Sequence, residues 1–461
     1  MNPWLNTPRP HLKDKRVTVL GGARSGMAAC RLLTKVGATI FLSDQREPGK
    51  WVDKRKELSR LGIESEINGH SEKSLEADLI IVSPGVPQDA EILTQAGERG
   101  IPIVSEVELA SWFTTLPIAA ITGSNGKTTT TTILAEMSRH GGYKTFLAGN
   151  IGFPFSDAVL TTLDDEPTNG LFVLEISSFQ MEHILYFKPY IAILLNLTPD
   201  HLDRYPDFDT YASAKMNILK NMTEENWVVY NEDDSGLLPY LQTQAQKVPF
   251  SLSRSPKTLF TLNETKIYDE KNEIVVYLKD ISIPGKHNLY NFLAAATASR
   301  LLEINSNQIG EVITSFPGVE HRIEFVKDID GIVFYNDSKA TNVDSVAVAL
   351  QAFDRPIILI MGGLDKGGDF SLLVPLIKSS VKAIILVGAA ADLIAEVYSG
   401  VVPLQNAVTI QNAVEMAWQS AQPGDVVLLS PGCASFDQFD NYEERGKVFK
   451  KTVNDLKRIV T

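Results

Sequence analysis

Short, largely apolar runs recur along this chain, and each stops at a glycine-rich or polar loop. RVTVL at 16–20 runs into Gly21-Gly22-Ala23-Arg24-Ser25-Gly26. TIFLS at 39–43 stops at Asp44, and DLIIV at 78–82 stops at Ser83-Pro84-Gly85. PIAAI at 117–121 leads into Thr122-Gly123-Ser124-Asn125-Gly126-Lys127-Thr128, and GIVFY, PIILIM, AIILVG and DVVLLS repeat the habit in the last third of the chain. Such runs, spaced by helix-length gaps, belong to strands buried on both faces, the pattern of parallel βαβ units. The fold class is therefore α/β. In such sheets ligands gather at the carboxyl ends of strands, so the chemistry is expected in the strand-end loops.

At roughly 150 residues per domain, 461 residues allow about three domains. The run of elements divides them at 1–115, 116–316 and 317–461. The first segment reads as a Rossmann-like unit. The second reads as a P-loop-type ATPase domain with a mostly parallel sheet, and the third as another Rossmann-like unit. Helices are expected from the first loop to about 36, over 128–140 where Gly141-Gly142 stops it, and over the alanine-rich stretch 287–302. Between 227 and 283 the pattern changes to short strands and turns. Lys and Arg number 43 against 56 Asp and Glu, a net charge of −13. That balance speaks against a general binder of nucleic acid or anionic membranes. Two cysteines, Cys30 and Cys433, make neither a disulfide scaffold nor a four-cysteine zinc site. With no 18-residue apolar stretch and no secretory apolar region at the start, a cytoplasmic protein without membrane insertion is expected.

The sharpest local signal is Gly123-Ser124-Asn125-Gly126-Lys127-Thr128-Thr129 between a strand and a helix. Glycines let backbone N–H groups approach phosphate oxygens, and a helix N-terminus favours an anion. Lys127 reaches the β/γ-phosphates and Thr128 supplies a hydroxyl for Mg²⁺. The spacing departs from the common G-x-x-x-x-G-K-[ST], because the first glycine stands three residues before the second. The plainer alternative is a glycine turn before a Thr-capped helix. Of the threonines at 128–132, a need for hydroxyls at the helix start accounts for the first two, and the rest lack a reason at this level.

Glu175 closes the run LFVL. A carboxylate there can hold Mg²⁺ directly or through water, or act as a strand-end acid in a turn. His201 sits in NLTPDHLD, which also reads as a plain helix start, and Lys215 in YASAK as a solvated helix lysine. In the first loop Ala23 stands where G-x-G-x-x-G has its middle glycine. That weakens a dinucleotide site, and with it an NAD-dependent oxidoreductase. Asp44 can equally pair with a neighbouring base, and Cys433 reads as a small buried residue.

In chain order, TGSNGKTT, LEISSFQ, NLTPDHLDRY, YASAKMNI, GKHNLYN, His321-Arg322, YNDSKATN and SPGCASFDQFDNY resemble the motifs of the Mur ligase family over nearly the whole chain. The resemblance implies ATP-dependent amide formation, through an acyl phosphate, in peptidoglycan precursor synthesis. Asp44-Gln45-Arg46, Gly362-Gly363-Leu364-Asp365-Lys366-Gly367 and SPGCASFDQF are similar to the branch that joins D-glutamate to UDP-N-acetylmuramoyl-L-alanine. For ATP the resemblance implies Gly123, Ser124, Asn125, Gly126, Lys127, Thr128, Thr129, Asn288, Asn291, Arg322, Asp337 and Lys339. For Mg²⁺ it implies Thr128, Glu175, His201 and Lys215, the last as a carbamate, and for catalysis Lys127, Glu175, His201 and Lys215. Arg24, Ser25, Asp44, Gln45, Arg46, Ser83, Gly85, Asn150 and His201 would meet the UDP substrate. Thr341, Lys366, Ser435, Phe436 and Tyr442 would meet D-glutamate. A monomer is expected. Two rivals stand beside this reading. One is another amide ligase on the same scaffold, a sibling Mur ligase or a folylpolyglutamate synthase. The other, of a different class, is a P-loop regulatory ATPase that makes no bond.

Overall fold

A computed structural model describes residues 3–46, 51–201, 204–253, 255–281, 283 and 285–456. The chain divides into two compact units, Met1–Leu278 with Tyr290–Thr314, and Lys279–Leu289 with Ser315–Thr461. Among the described residues no helix is long and apolar enough to cross a membrane.

The first unit carries two parallel sheets. In the first, the strands lie in the order Glu64–Ile67, Thr39–Asp44, Arg16–Leu20, Leu79–Val82, Ile103–Ser105, all parallel. That is the 3-2-1-4-5 order of a doubly wound sheet. Its first strand turns through the glycine loop into the helix Arg24–Lys35. A Cβ on Gly22 would stand 2.1 Å from the buried Trp51 ring, and one on Gly26 only 1.8 Å from the Gly21 carbonyl oxygen. Ala23, in extended backbone (φ −76°, ψ −163°), is accommodated between them.

The second sheet runs Gln246–Phe250, Trp227–Asn231, Ile191–Leu194, Ile118–Thr122, Gly170–Glu175, Lys144–Gly149, again all parallel. The strand that feeds the phosphate loop is thus central. Two of these short strands come from the stretch 227–283, where short strands and turns were expected. The rest of that stretch forms a three-stranded antiparallel sheet of Phe260–Leu262, Lys266–Asp269 and Ile274–Tyr277. Gln246–Phe250 hid in the sequence because it is an edge strand with two exposed residues and Pro249, which an edge tolerates.

One continuous apolar core spans both sheets, from Leu5 to Ala245. Polar side chains tie the same layers. Arg31 forks onto Asp157 at 2.8 and 2.7 Å and reaches Glu57 at 2.7 Å. The buried Glu108 carboxylate accepts from the Trp112 indole and from the N–H groups of Leu185, Tyr186 and Phe187. Glu106, fully buried, accepts from the Ser156 N–H at 2.5 Å.

The second unit is built on a six-stranded sheet, in the order Leu404–Ala407, Val381–Val387, Ile357–Gly362, Val426–Leu429, Ile332–Asn336, Glu324–Ile329. Its first five strands are parallel and repeat the 3-2-1-4-5 plan, with the fifth place taken by the earliest of the five in sequence. Glu324–Ile329 adds an antiparallel edge. Ile357, Leu359 and Met361 face one core, while Ile358 and Ile360 face another. Burial on both sides is why these strands read as unbroken apolar runs.

Candidate active site

In the first unit the phosphate loop joins the strand Ile118–Thr122 to the helix Lys127–His140, one residue longer at its start than expected. Gly126 is left-handed (φ 84°), and a Cβ there would stand 2.4 Å from Asn291 Oδ1. Asn196 clamps the loop: its Oδ1 accepts from the Asn125 N–H at 2.8 Å and its Nδ2 donates to the Asn125 carbonyl at 3.0 Å. Ser124 Oγ donates to the Thr198 carbonyl at 2.8 Å and lies 3.0 Å from the Tyr211 hydroxyl. Lys127 folds back, donating to the carbonyls of Gly123 and Ser124 at 2.8 Å each. The later threonines now have a reason. Thr130 donates to Asn291 Oδ1, and Thr131 and Thr132 bond back to the carbonyls of Lys127 and Thr128.

Lys215 is buried, not solvated. Its Nζ donates to the Gly123 carbonyl at 2.9 Å and lies over the Tyr211 ring. Burial, and then the like charge of Lys127, push its ammonium well below the ordinary lysine value, against the pull of Asp200 and Glu175. Glu175 ends its strand beside Ile121. One of its oxygens accepts from Asn150 Nδ2 at 2.7 Å, while Oε2 is buried with no hydrogen-bond partner among the described residues. His201 has left-handed backbone (φ 56°) and stands edge-on to Phe179, its Nε2 3.6 Å from Asp200. Its neighbours Leu202 and Asp203 lie outside the described residues.

A cavity of about 530 Å³ opens at the carboxyl edge of the first sheet. Arg24, Ser25, Asp44, Gln45, Arg46, Ser83, Gly85 and Asn150 all line it. Of the residues expected at the UDP substrate, His201 alone is not in its wall. Asp44 does pair with a base: Arg46 reaches it at 2.7 Å, and the Gly22 N–H donates to it at 2.6 Å. Burial opposes its ionisation, but these bonds outweigh burial and hold the carboxyl below the ordinary aspartate value. His70 and Gln180 also line the cavity and were not singled out from the sequence. Arg204 was missed too. It donates to the carbonyls of Pro84 and Val86 and pairs with Glu182 at 2.7 Å, anchoring the cavity's rim. Only the Arg of HLDRY hinted at it.

In the second unit, two loops come together. Leu364 and Ala434 exchange N–H···O bonds of 2.9 Å in both directions, setting Lys366 and Ser435 on adjoining strand-end loops. Lys366 and Phe436 are exposed, and Ser435 is buried. Gly363 must be glycine, since a Cβ would lie 2.3 Å from the Ala434 carbonyl oxygen. Arg445, unmarked in the sequence, holds the pair in place through the Ser338 carbonyl at 2.8 Å and the Cys433 carbonyl at 3.2 Å. Cys433 is the buried residue expected, and burial pushes its thiol up to about 12. Lys339 Nζ lies 5.4 Å from the Tyr442 ring centre. Thr341 precedes Asn342, which caps the helix Val343–Leu350. Asn288 is buried, and its neighbour His287 is pushed down to about 4 by burial and then by the charge of Arg322, which places that arginine close by. Asp337 is wholly buried, bonded to Ser430 Oγ at 2.9 Å. Burial raises it to about 7 against the pull of Arg322 and Arg445.

The sequence matches the Mur ligase middle domain over residues 121–299, the Mur ligase glutamate ligase domain over 321–433, and the MurD-like N-terminal domain of Mur ligases over 15–105. The chain belongs to the Mur ligase family. This Mur ligase is 44% identical to the UDP-N-acetylmuramoylalanine--D-glutamate ligase of Salinibacter ruber, covering 96% of its own length and 99% of the relative's. It is 43% identical to the enzyme of that name from Caldanaerobacter subterraneus, over 97% and 100% of the two chains. In fold it is similar to the MurF ligase of Thermotoga maritima in complex with ADP (TM-score 0.62, 16% identity, 96% of each chain covered). The UDP-N-acetylmuramate-alanine ligase of the same organism is also similar (TM-score 0.60, 20% identity, 95% and 99% covered).

Proposed function

We propose that this Mur ligase joins D-glutamate to UDP-N-acetylmuramoyl-L-alanine at the expense of ATP, in the cytoplasm, as a step of peptidoglycan precursor synthesis. Residues 1–115 would hold the UDP end, 116–316 ATP and 317–461 the amino acid. One observation carries the reading. Asn150 lines the 530 Å³ cavity and also donates to Glu175, whose charge is felt by Lys215, which in turn bonds to the Gly123 carbonyl of the phosphate loop. A nucleotide-sugar cavity is thereby wired to a phosphate-transfer loop, which a plain regulatory ATPase has no need of. The full-length relatives named above support the choice of D-glutamate.

A carboxylate is a poor electrophile. Transfer of the γ-phosphoryl group to the alanyl carboxylate makes an acyl phosphate and releases ADP. The amine of D-glutamate then adds to the carbonyl, and phosphate and a proton leave as the amide forms. Lys127 and the loop N–H groups stabilise charge on the transferring phosphoryl group. Lys366 and Ser435 would take the D-glutamate carboxylates. Glu175 Oε2, buried and without a hydrogen-bond partner among the described residues, is a hard oxygen donor that would suit Mg²⁺, and Thr128 and His201 would complete the donor set. Bound there, Mg²⁺ would neutralise phosphate charge. Lys215 as an ammonium would oppose a cation. Its burial instead favours the free amine, which can add CO₂ and lose a proton to become a carbamate.

The test is phosphate release with ATP, Mg²⁺ and UDP-N-acetylmuramoyl-L-alanine while the amino acid is varied. Only D-glutamate is expected to support turnover. Release independent of any amino acid would return the regulatory ATPase, and preference for another amino acid a sibling ligase.

A further inference from the structure

Arg204 is tied to three pieces of the first unit. Its guanidinium donates to the Pro84 carbonyl at 2.8 Å and to the Val86 carbonyl at 3.0 Å. Residues 83–87 all line the 530 Å³ cavity, so these bonds pin one wall of it. The same guanidinium pairs with Glu182 at 2.7 Å and lies over the Phe179 ring, 4.2 Å from its centre. Both residues follow closely on the strand that ends in Glu175, Phe179 within the helix Ser178–Met181 and Glu182 as its C-cap. The third piece is His201. Its carbonyl accepts from the Arg204 N–H at 2.9 Å and from the Tyr205 N–H at 3.0 Å, and its ring stands 4.7 Å from that of Phe179. One residue therefore reaches from the cavity wall to the elements that carry Glu175 and His201.

The Arg204 and Glu182 side chains are 16% and 2% exposed, and the second Glu182 oxygen accepts from the Tyr205 hydroxyl at 2.6 Å. A buried ion pair is a poor source of stability, since well-packed apolar side chains often do as well. What a guanidinium adds is geometry: it is planar and its donors are fixed relative to one another, so the groups it bonds are held at set distances. Phosphoryl transfer to a carboxylate needs that registry, because a misplacement of about 1 Å can cost about a hundredfold in rate. We propose that Arg204 is a positioning residue, which holds the cavity wall in register with the Glu175 and His201 elements so that the acceptor carboxylate of a substrate seated in the cavity meets the phosphoryl group. This rests on the reaction proposed above.

The test compares the wild type with Arg204→Lys, and with Arg204→Met joined to Glu182→Gln, in D-glutamate-dependent phosphate release, calorimetric binding of UDP and thermal melting. Arg204→Lys keeps a charge beside Glu182 but cannot fork across two carbonyls. The double variant removes the ion pair whole and leaves no buried carboxylate unpaired. Both are expected to lose about tenfold or more in kcat, while the Michaelis constant for ATP and the affinity for UDP change by less than about twofold. A chain merely weakened in its fold would melt lower and keep its kcat per folded molecule. A folded variant with wild-type kcat overturns the inference. A loss of UDP affinity as large as the loss of kcat overturns it too, since Arg204 would then shape the cavity rather than align its contents. If neither variant folds, Arg204 serves the fold and the inference falls. A wild type without D-glutamate-dependent turnover removes the proposed reaction itself, whereas an active wild type beside an unimpaired variant removes this inference alone.

Discussion

Lys127 bonds to two carbonyls of its own loop and is the proposed phosphate contact. Lys127→Ala is expected to lose roughly 2–4 kcal/mol of transition-state stabilisation, as for one oxyanion donor. Steady-state phosphate release measures this, and near-wild-type turnover would remove the assignment. Lys366→Ala should raise the Michaelis constant for D-glutamate far more than that for ATP, and equal effects would take Lys366 out of the amino-acid pocket. At this scale the sequence was a partial guide. Lys127 and Glu175 announced themselves because strand, loop and helix agreed around them. Lys215 stood out only through the family resemblance, because helical spacing alone cannot show that a lysine points into the protein. The threonines after Thr129 were opaque for a similar reason: the partner of Thr130, Asn291, lies far along the chain.

The first glycine loop shows what an element needs from its residues. Gly26→Ala would drive a methyl group into the Gly21 carbonyl and push the helix Arg24–Lys35 off its strand. Loss of thermal stability and of UDP affinity together is the expected result, read by melting and calorimetry. Glu106 links the helix Glu106–Ser111 to the helix Phe155–Leu160 and makes a pH prediction. Burial, against the bonds from Ser156, raises its carboxyl to about 7. That is above its value in the unfolded chain, about 4.3. Below the unfolded value the acid is neutral in both states and costs nothing. As pH rises between the two values the unfolded chain sheds its proton first, so stability is lost. Above about 7 the full cost, on the order of 3 kcal/mol, is present. Glu106→Gln should therefore unfold at higher denaturant than wild type near pH 8, and the gain should vanish below about pH 4. Strands buried on both faces were plain in the sequence. Gln246–Phe250 and the antiparallel Glu324–Ile329 were not, because edge strands mix exposed residues into the pattern.

The whole molecule carries a net charge of −13, and every proposed substrate is an anion. Attraction must then be local, from Lys127, Arg46, Arg322, Lys366 and helix N-termini, against an unfavourable overall field. Modest salt should leave the Michaelis constants nearly unchanged, because long-range steering contributes little. A steep loss of affinity with salt would contradict that. The last sheet has one more consequence. Its strand Val426–Leu429 lies between Ile332–Asn336 and Ile357–Gly362, yet it is the last of the six to be synthesised. A ribosome that has delivered the first 400 or so residues holds a sheet with its centre missing, and its apolar edges stay open until the final stretch emerges. A stop codon shortly before Val426 should thus leave an aggregating or proteolysed product, although most of the chain is already made.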